Sequence, residues 1–176
     1  MNKRMKSLVT LSTLTVLTLL AAVVGFAALT APFPTAEDQP VCVTTQVAAD
    51  QEVFPEQVTI SVYNASNRNG LASSTLNDLV DRGFIGAGSG NAPGDKPVKG
   101  VQIWADNAKN PAVALVKGQF RKAKVVPGSA LGPGVVVVVG TGKVSLRPSG
   151  KAPISATAKS PSVICSPPGS SSTLPD

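Results

Sequence analysis

The sequence contains no histidine among its 176 residues. Histidine is the usual general base of Ser-His-Asp and Cys-His catalysis and a common ligand of zinc and iron, so its absence excludes those classes of site. The two cysteines are too few for a cysteine-based metal cluster. We therefore expect no catalytic residues, no metal site and no bound cofactor.

Aromatic residues are also scarce, at 4% of the chain, whereas glycine (16) and proline (15) are plentiful. Such a composition supports only a modest core built from valine, alanine, leucine and isoleucine. The length of the chain predicts one folded domain with appendages rather than two domains.

Charge is missing from residues 8–29, LVTLSTLTVLTLLAAVVGFAAL, which form the longest apolar run of the chain. A transmembrane helix needs about 20 such residues. The preceding cations Lys3, Arg4 and Lys6 place the N-terminus in the cytoplasm by the positive-inside rule. We predict a cytoplasmic segment at residues 1–7 and a single-pass transmembrane signal-anchor at residues 8–31.

The alternative is a cleaved signal peptide, whose apolar region is normally about 7–15 residues long. Cleavage after Ala31 or Ala27 would place Leu29 or Gly25 three residues before the cut, and neither arrangement is a good cleavage site. An uncleaved anchor is the favoured interpretation. In both cases everything from about Pro32 onward is extracytoplasmic, and the uncleaved anchor would hold it at the cell membrane.

Cysteines in an oxidising compartment normally pair. Cys42 precedes the predicted domain and Cys165 follows it, so a disulfide between them would join the two flanking segments. Two free thiols are the less favoured alternative.

The charges are unevenly distributed outside the membrane. Residues 32–106 carry nine acidic and four basic residues, a net charge of −5, whereas residues 107–176 carry nine basic and one acidic residue, a net charge of +8. An outward-facing basic half suits an anionic wall polymer or lipid headgroups, although a solvated basic face that keeps the protein soluble is an equally good interpretation. The extracytoplasmic location excludes nucleic acid as a partner.

Composition divides the remainder into an extracytoplasmic stalk (32–55), a domain (56–141) and an extended Ser/Pro/Lys-rich tail (142–176), with regular structure starting near Glu56. Alternation of apolar residues at 57–63 predicts a strand with one buried face. The order is strand, helix, strand, strand, helix, strand, strand, and the unbroken run Val135–Val139 predicts a central strand buried on both faces. This indicates an α/β (α+β) fold: a small two-layer domain in which two helices pack on a mixed β-sheet.

The segment SVYNASNRNGLASS, residues 61–74, predicts a strand that turns into a helix. A helix N-terminus favours anions, which makes Asn64, Arg68, Asn69 and Gly70 candidate anion or polymer contacts. The favoured alternative is a purely structural hinge in which Asn67 or Asn69 caps the helix, because the turn lacks the spacing of a phosphate-binding loop.

Further cations, Lys117, Arg121, Lys122 and Lys124, follow one another around the end of the second helix. They are candidate polymer contacts, although cations at a helix C-terminus also complement the helix dipole. Tyr63 and Trp104, the only tyrosine and tryptophan, are either sugar-stacking residues or, as we favour, packing residues. The Ser73–Ser74 pair has no histidine or suitably placed lysine as a base, so it predicts an exposed helix face.

The strand–turn–helix segment resembles the LytR C-terminal domain family. The matching residues are Val62, Asn64, Ala65, Gly70, Leu71, Ala72, Arg82, Gly83, Phe84, Asn91 and Ala92. The resemblance covers about residues 58–140. Family members often follow a LytR–CpsA–Psr transferase domain, for which this chain has no room.

A membrane anchor with this domain alone is similar to small actinobacterial envelope-integrity proteins. The resemblance thus implies a non-catalytic protein that supports the cell envelope or cell wall. Its partner would be a wall polymer, a lipid-linked precursor or another envelope protein. An accessory subunit of a LytR–CpsA–Psr wall-polymer transferase is the alternative function. The oligomeric state is not predicted.

Overall fold

The structure is a computed structural model that describes residues 3–30, 40–94, 98–128 and 130–169, and within the first helix the side chains of residues 11–26. It divides into two units, Met1–Gln39 and Pro40–Asp176. Residues 31–39 of the predicted anchor and stalk, and residues 170–176 of the predicted tail, lie outside the described residues.

The first unit contains one helix, α1 (Lys3–Thr30). Its large apolar side chains between Leu11 and Phe26 are exposed. Within the part of the chain that the structure describes, no helix combines the length and the apolarity that a membrane crossing demands. The anchor at residues 8–31 is therefore not confirmed and stays a prediction.

The second unit is built on a five-stranded mixed sheet. The strands of the whole unit, in chain order, are β1 (Val43–Val47), β2 (Glu52–Val53), β3 (Thr59–Asn64), β4 (Ile85–Asn91), β5 (Val101–Trp104), β6 (Ala123–Val126), β7 (Val135–Val139), β8 (Ala156–Thr157) and β9 (Ser162–Ser166). The α-helices of this unit are α2 (Leu71–Val80) and α3 (Pro111–Gln119). The main sheet has the order β4-β3-β7-β5-β6. Only the β5–β7 pair is antiparallel. The predicted element order and the mixed sheet are confirmed.

The valine run forms the middle strand, β7, and all five of its residues are buried. Val135, Val137 and Val139 join the core beneath the helices, together with Ile60, Leu79 and Leu115. Val136 and Val138 alternate with them and face the other side of the sheet. The central position of this strand is therefore confirmed.

The second face of the sheet is covered by the described part of the connection between β6 and β7, residues 127–128 and 130–134, which we name the strap. The Tyr63 hydroxyl donates to the Leu131 carbonyl at 2.6 Å, and the Ser61 hydroxyl donates to the Pro133 carbonyl at 2.7 Å. Gly128 packs directly against the Trp104 ring. The packing interpretation of the two aromatic residues is thus confirmed. The prediction that the first strand of the domain has only one buried face is wrong, because the strap also covers Thr59 and Ser61.

Regular structure extends beyond both predicted boundaries of the domain. β1 pairs with β9, and β2 pairs with β8, all antiparallel. The predictions of a start near Glu56 and of an extended tail are wrong for the described residues. Each of these strands is short, and its partner lies at the other end of the chain. No local pattern in the sequence is therefore strong enough to predict either strand.

The added strands cover the second helix. α3 begins as predicted, with the Asn110 side chain accepting from the Ala112 N–H at 3.0 Å and Pro111 at the first helical position. It then packs against β2, β8 and β9 as well as the main sheet. Gly118 permits this cover, because any side chain there would overlap Pro153. The two-layer description is therefore incomplete around α3.

The predicted disulfide is confirmed. Cys42 and Cys165 are bonded, with their Cα atoms 5.5 Å apart and 123 positions apart in sequence. The bond joins the residue that precedes β1 to β9, so it ties the two strands of this pair to each other.

Replacing both cysteines by serine is expected to lower the free energy of unfolding by about 2–4 kcal/mol, because the unfolded chain regains the entropy of a long open loop. Guanidinium unfolding with and without reductant measures the effect. Reductant should weaken the native protein and leave the Cys42→Ser/Cys165→Ser variant unchanged. Equal midpoints for native and variant protein under oxidising conditions would contradict the stabilising role.

Candidate functional site

The candidate contacts gather toward one end of the main sheet. Asn91, Asn64, Val139, Val101 and Ala123 lie side by side on the five strands in the order β4-β3-β7-β5-β6. The carboxyl ends of the parallel strands β4, β3 and β7 therefore meet at this end. In open α/β sheets this is where ligands commonly bind.

The turn after β3 is held by the side chain of Asn64, which is only 9% exposed. Its Nδ2 donates to the Arg68 carbonyl at 2.7 Å, and its Oδ1 accepts from the Ser66 N–H at 2.9 Å and the Ser66 hydroxyl at 2.8 Å. This is an Asx-type turn, in which a side chain replaces a main-chain partner. The side-chain amide of Asn64 therefore already has hydrogen-bond partners within the turn.

Gly70 is the N-cap of α2 and has a φ of 73°, with no side-chain cap hydrogen bond. The prediction that Asn67 or Asn69 caps the helix is therefore wrong. Glycine adopts this left-handed conformation without steric penalty, and Asn64 stabilises the turn from the strand side. No side chain is then needed at the cap position.

A polar cleft of about 140 Å³ opens between the start of α2 and the end of β4. Its lining includes Asn64, Gly70, Ser73, Ser89 and Asn91. The first N–H groups of any helix lack intrahelical acceptors, which gives the cleft a weak preference for anions. However, no lysine or arginine lines the cleft, so the anion contact at this turn stays a prediction. A structural hinge is enough to account for the asparagine and glycine residues of the turn.

Arg68 points away from the cleft toward a different segment. Its Nη2 donates to the Gly142 carbonyl at 2.8 Å while the side chain remains exposed. From Gly142 the chain runs beside the residues that follow α3. Phe120 and Leu146 form a bridge, the Arg121 N–H donates to the Ser145 carbonyl at 2.9 Å, and the Arg147 N–H donates to the Gln119 carbonyl at 2.7 Å.

This pairing joins the two groups of candidate residues into one surface, which we name the basic strip. Its members are the exposed cations of the β3–α2 turn, of the end of α3 with the residues that follow it, and of the segment 142–147 that lies beside them: Arg68, Lys117, Arg121, Lys122, Lys143 and Arg147. None of them forms an ion pair with any residue within the described ranges. Arg68 and Arg147 each use one guanidinium N–H on a main-chain carbonyl, that of Gly142 and that of Phe120 respectively, and their charges remain without an ion pair.

One candidate lies elsewhere, and two members of the basic strip were missed. Lys124 is exposed on β6, opposite Gln102, so it lies on the strap side of the sheet. Lys143 and Arg147 belong to the segment predicted as an extended tail. Their charge placed them in the basic half of the chain, but no local pattern indicates that this segment returns to the end of α3.

The remaining polar candidates do not assemble into a reactive group. Ser73 and Ser74 are exposed on α2, and the Ser73 hydroxyl donates to the Gly70 carbonyl at 3.3 Å. Three or more metal-ligating side chains do not come together anywhere among the described residues.

Substituting Asn64 is expected to destabilise the domain, because three hydrogen bonds and the geometry of the turn depend on its buried amide. Asn64→Ala should lower the free energy of unfolding by about 1–3 kcal/mol. Asn67→Ala, an exposed asparagine in the same turn, is the matched control and should change stability by about 0.5 kcal/mol or less. Urea unfolding of both variants tests the assignment, and equal losses would contradict it.

Comparisons with known proteins show which family the central domain matches. Residues 57–142 match the family described as LytR cell envelope-related transcriptional attenuator, LytR_C. Among solved structures, the chain is similar to the soluble domain of a conserved hypothetical secreted protein (an Rv2700 ortholog) from Mycobacterium marinum. That match has 21% identity, covers 57% of this chain and 68% of that one, and has a TM-score of 0.41. No curated protein matches the chain. The chain therefore contains a LytR_C domain at residues 57–142.

Proposed function

We propose that this protein supports the cell envelope without catalysis, by holding an anionic wall polymer or the anionic part of a lipid-linked precursor on its basic strip. The observation that carries the proposal is the run of six exposed cations without ion pairs, assembled from three separated parts of the sequence. The family, whose description names the cell envelope, fits such a role.

The arrangement of the cations favours a repeating anion over a small one. The basic strip follows the extended segment from Gly142 to Arg147 rather than surrounding a cavity. A polyanion that lies along such a strip contacts several cations at once and releases its condensed counterions, so each contact adds to affinity. A single small anion would meet only one or two exposed cations in water, where each contributes little.

The absence of catalysis in this proposal has chemical support. Ser73 and Ser74 have no histidine available as a base anywhere in the chain. The polar cleft at the start of α2 contains no charged side chain. These features suit binding better than bond making or breaking.

An extracytoplasmic, membrane-anchored location is part of the proposal. The Cys42–Cys165 disulfide suits an oxidising compartment, and the M. marinum protein is described as secreted. The uncharged residues 8–29 and the cations Lys3, Arg4 and Lys6 before them support an anchor whose N-terminus is cytoplasmic.

Fractionation of cells that express the full chain tests the anchor. The protein is expected to stay with the membrane after extraction with alkaline carbonate and to be released by detergent. A variant in which a cleavable signal sequence replaces residues 1–30 should be exported and recovered in solution outside the cytoplasm. Release of the native protein by carbonate would contradict anchoring.

Charge reversal tests the basic strip. Arg121→Glu/Lys122→Glu is expected to weaken binding of the detergent-solubilised full chain to dextran sulfate and to purified wall polymer by about tenfold or more, because two counterion-releasing contacts become repulsive. Affinity of the native protein should fall steeply with added salt. Neutral dextran is the polymer control.

The matched control is Lys109→Glu/Lys159→Glu, which makes the same change in net charge at exposed cations outside the basic strip. It should change affinity by about threefold or less, since only the long-range field is altered. Equal losses in the two variants would show that net charge alone attracts the polymer. Unchanged binding in the Arg121→Glu/Lys122→Glu variant would contradict the proposal.

A further inference from the structure

Arg82 connects the end of α2 to the segment that carries part of the basic strip. Its N–H donates to the Leu79 carbonyl at 3.0 Å, and the buried Phe84 lies two positions later, so its main chain belongs to a fixed part of the fold. Its side chain is half-buried. Nη1 donates to Gln119 Oε1 at 3.1 Å, and Nη2 donates to the Arg147 carbonyl at 2.7 Å.

Gln119 completes this connection from the end of α3. Its side chain is 2% exposed, so its amide needs hydrogen-bond partners inside the protein. Its Oε1 accepts from Arg82, while its Nε2 donates to the Pro153 carbonyl at 2.9 Å. Two side chains that are bonded to each other therefore hold the returning segment at two of its carbonyls, those of Arg147 and Pro153. We name Arg82 and Gln119 the clamp.

Arg147 is a member of the basic strip whose main chain and guanidinium are both fixed. Its N–H donates to the Gln119 carbonyl at 2.7 Å, its carbonyl accepts from Arg82, and its Nε donates to the Phe120 carbonyl at 3.1 Å. Its two terminal nitrogens have no hydrogen bond or ion pair to any described residue. A guanidinium that is already held through Nε loses little further freedom when its terminal nitrogens meet an anion.

We propose that Arg82 is the positioning residue of the basic strip and acts through Arg147. Arg82 does not contact the polymer, because its terminal nitrogens are directed at acceptors of this chain. By holding the Arg147 carbonyl, it sets where the free nitrogens of Arg147 meet solvent. The inference rests on the proposed function, since it names the part of the fold that prepares a polymer contact.

The planar fork of a guanidinium suits this task better than a single ammonium group. The two acceptors of Arg82 belong to different parts of the chain, α3 and the returning segment, and one rigid group reaches both of them. A lysine at this position would reach only one acceptor. An apolar side chain of similar length would leave the buried Gln119 Oε1 without its donor.

Hydrogen exchange of the full chain in detergent micelles, followed by nuclear magnetic resonance, tests the positioning without any polymer. In Arg82→Met the Arg147 N–H is expected to exchange about tenfold faster or more, because the residue opens locally. The Val137 N–H in the central strand should keep its native rate, which shows that the fold persists. Lys109→Met, which removes one exposed cation outside the basic strip, is the matched control and should leave both rates unchanged.

A double-mutant cycle with dextran sulfate tests the connection to binding. Arg147→Ala is expected to weaken binding by about threefold and to lower the slope of log affinity against log salt by about one, because one counterion-releasing contact is lost. Arg82→Met should cause similar changes in affinity and slope. Arg82→Met/Arg147→Ala should bind no more weakly than Arg147→Ala alone, because both substitutions remove the same contact. Arg82→Lys, which keeps one donor and the charge, should lose less affinity than Arg82→Met.

The outcomes separate this inference from the proposed function. Losses that multiply in the double variant would overturn the inference, because Arg82 would then act on the polymer independently of Arg147. Native exchange of the Arg147 N–H or native affinity in Arg82→Met would overturn it as well, and so would an equal loss of affinity in Lys109→Met. If the native protein itself binds neither dextran sulfate nor wall polymer, the proposed function fails and the inference fails with it.

Discussion

The burial of β7 on both faces is the constraint on which the rest of the domain depends. Five consecutive valines leave no polar face for water, so each side of the sheet must be covered by other parts of the chain. The helices cover Val135, Val137 and Val139, whereas the strap lies over the opposite face and is tied to Tyr63 and Ser61. A strand with one polar face would have required no strap and would have left both aromatic residues in water.

The same requirement explains why the chain returns after the main sheet is complete. A domain with few aromatic residues buries limited area, and α3 is apolar around most of its circumference. Val53 of β2, Ile164 of β9 and Ala158, which directly follows β8, belong to one continuous core with the main sheet. The disulfide then fixes the ends of these flanking strands together, which limits the entropy of a long loop in the unfolded state.

The sequence predicts the parts of this structure that have local signals. Alternation in β3, the proline at the start of α3 and the valine run of β7 each depend on neighbouring residues, so the element order and the mixed sheet follow from them. The β1–β9 and β2–β8 pairs depend on partners more than 100 positions away, and strands of two to five residues give weak periodicity. The prediction that Asn67 or Asn69 is the N-cap is wrong for a related reason. Several asparagines near the turn satisfy the same preference, and only the fold shows that Asn64 is buried beneath the turn while Gly70 occupies the cap position.

The return of the C-terminal segment also determines the candidate surfaces. Between Gly142 and Arg147 it lies beside Arg68 and Arg121, which turns separated cations into one basic strip. Between Ser149 and Ile154 it forms one wall of a groove of about 340 Å³, opposite Phe54, and presents Ile154 to solvent. The candidate residues recognised from sequence alone stay predictions as polymer contacts, because the surfaces they form depend on a segment whose composition indicates no fixed structure. Since this segment is held by main-chain hydrogen bonds to Gln119 and Arg121 and by the packing of Pro153 on Gly118, a change at the end of α3 would alter the basic strip and the groove together.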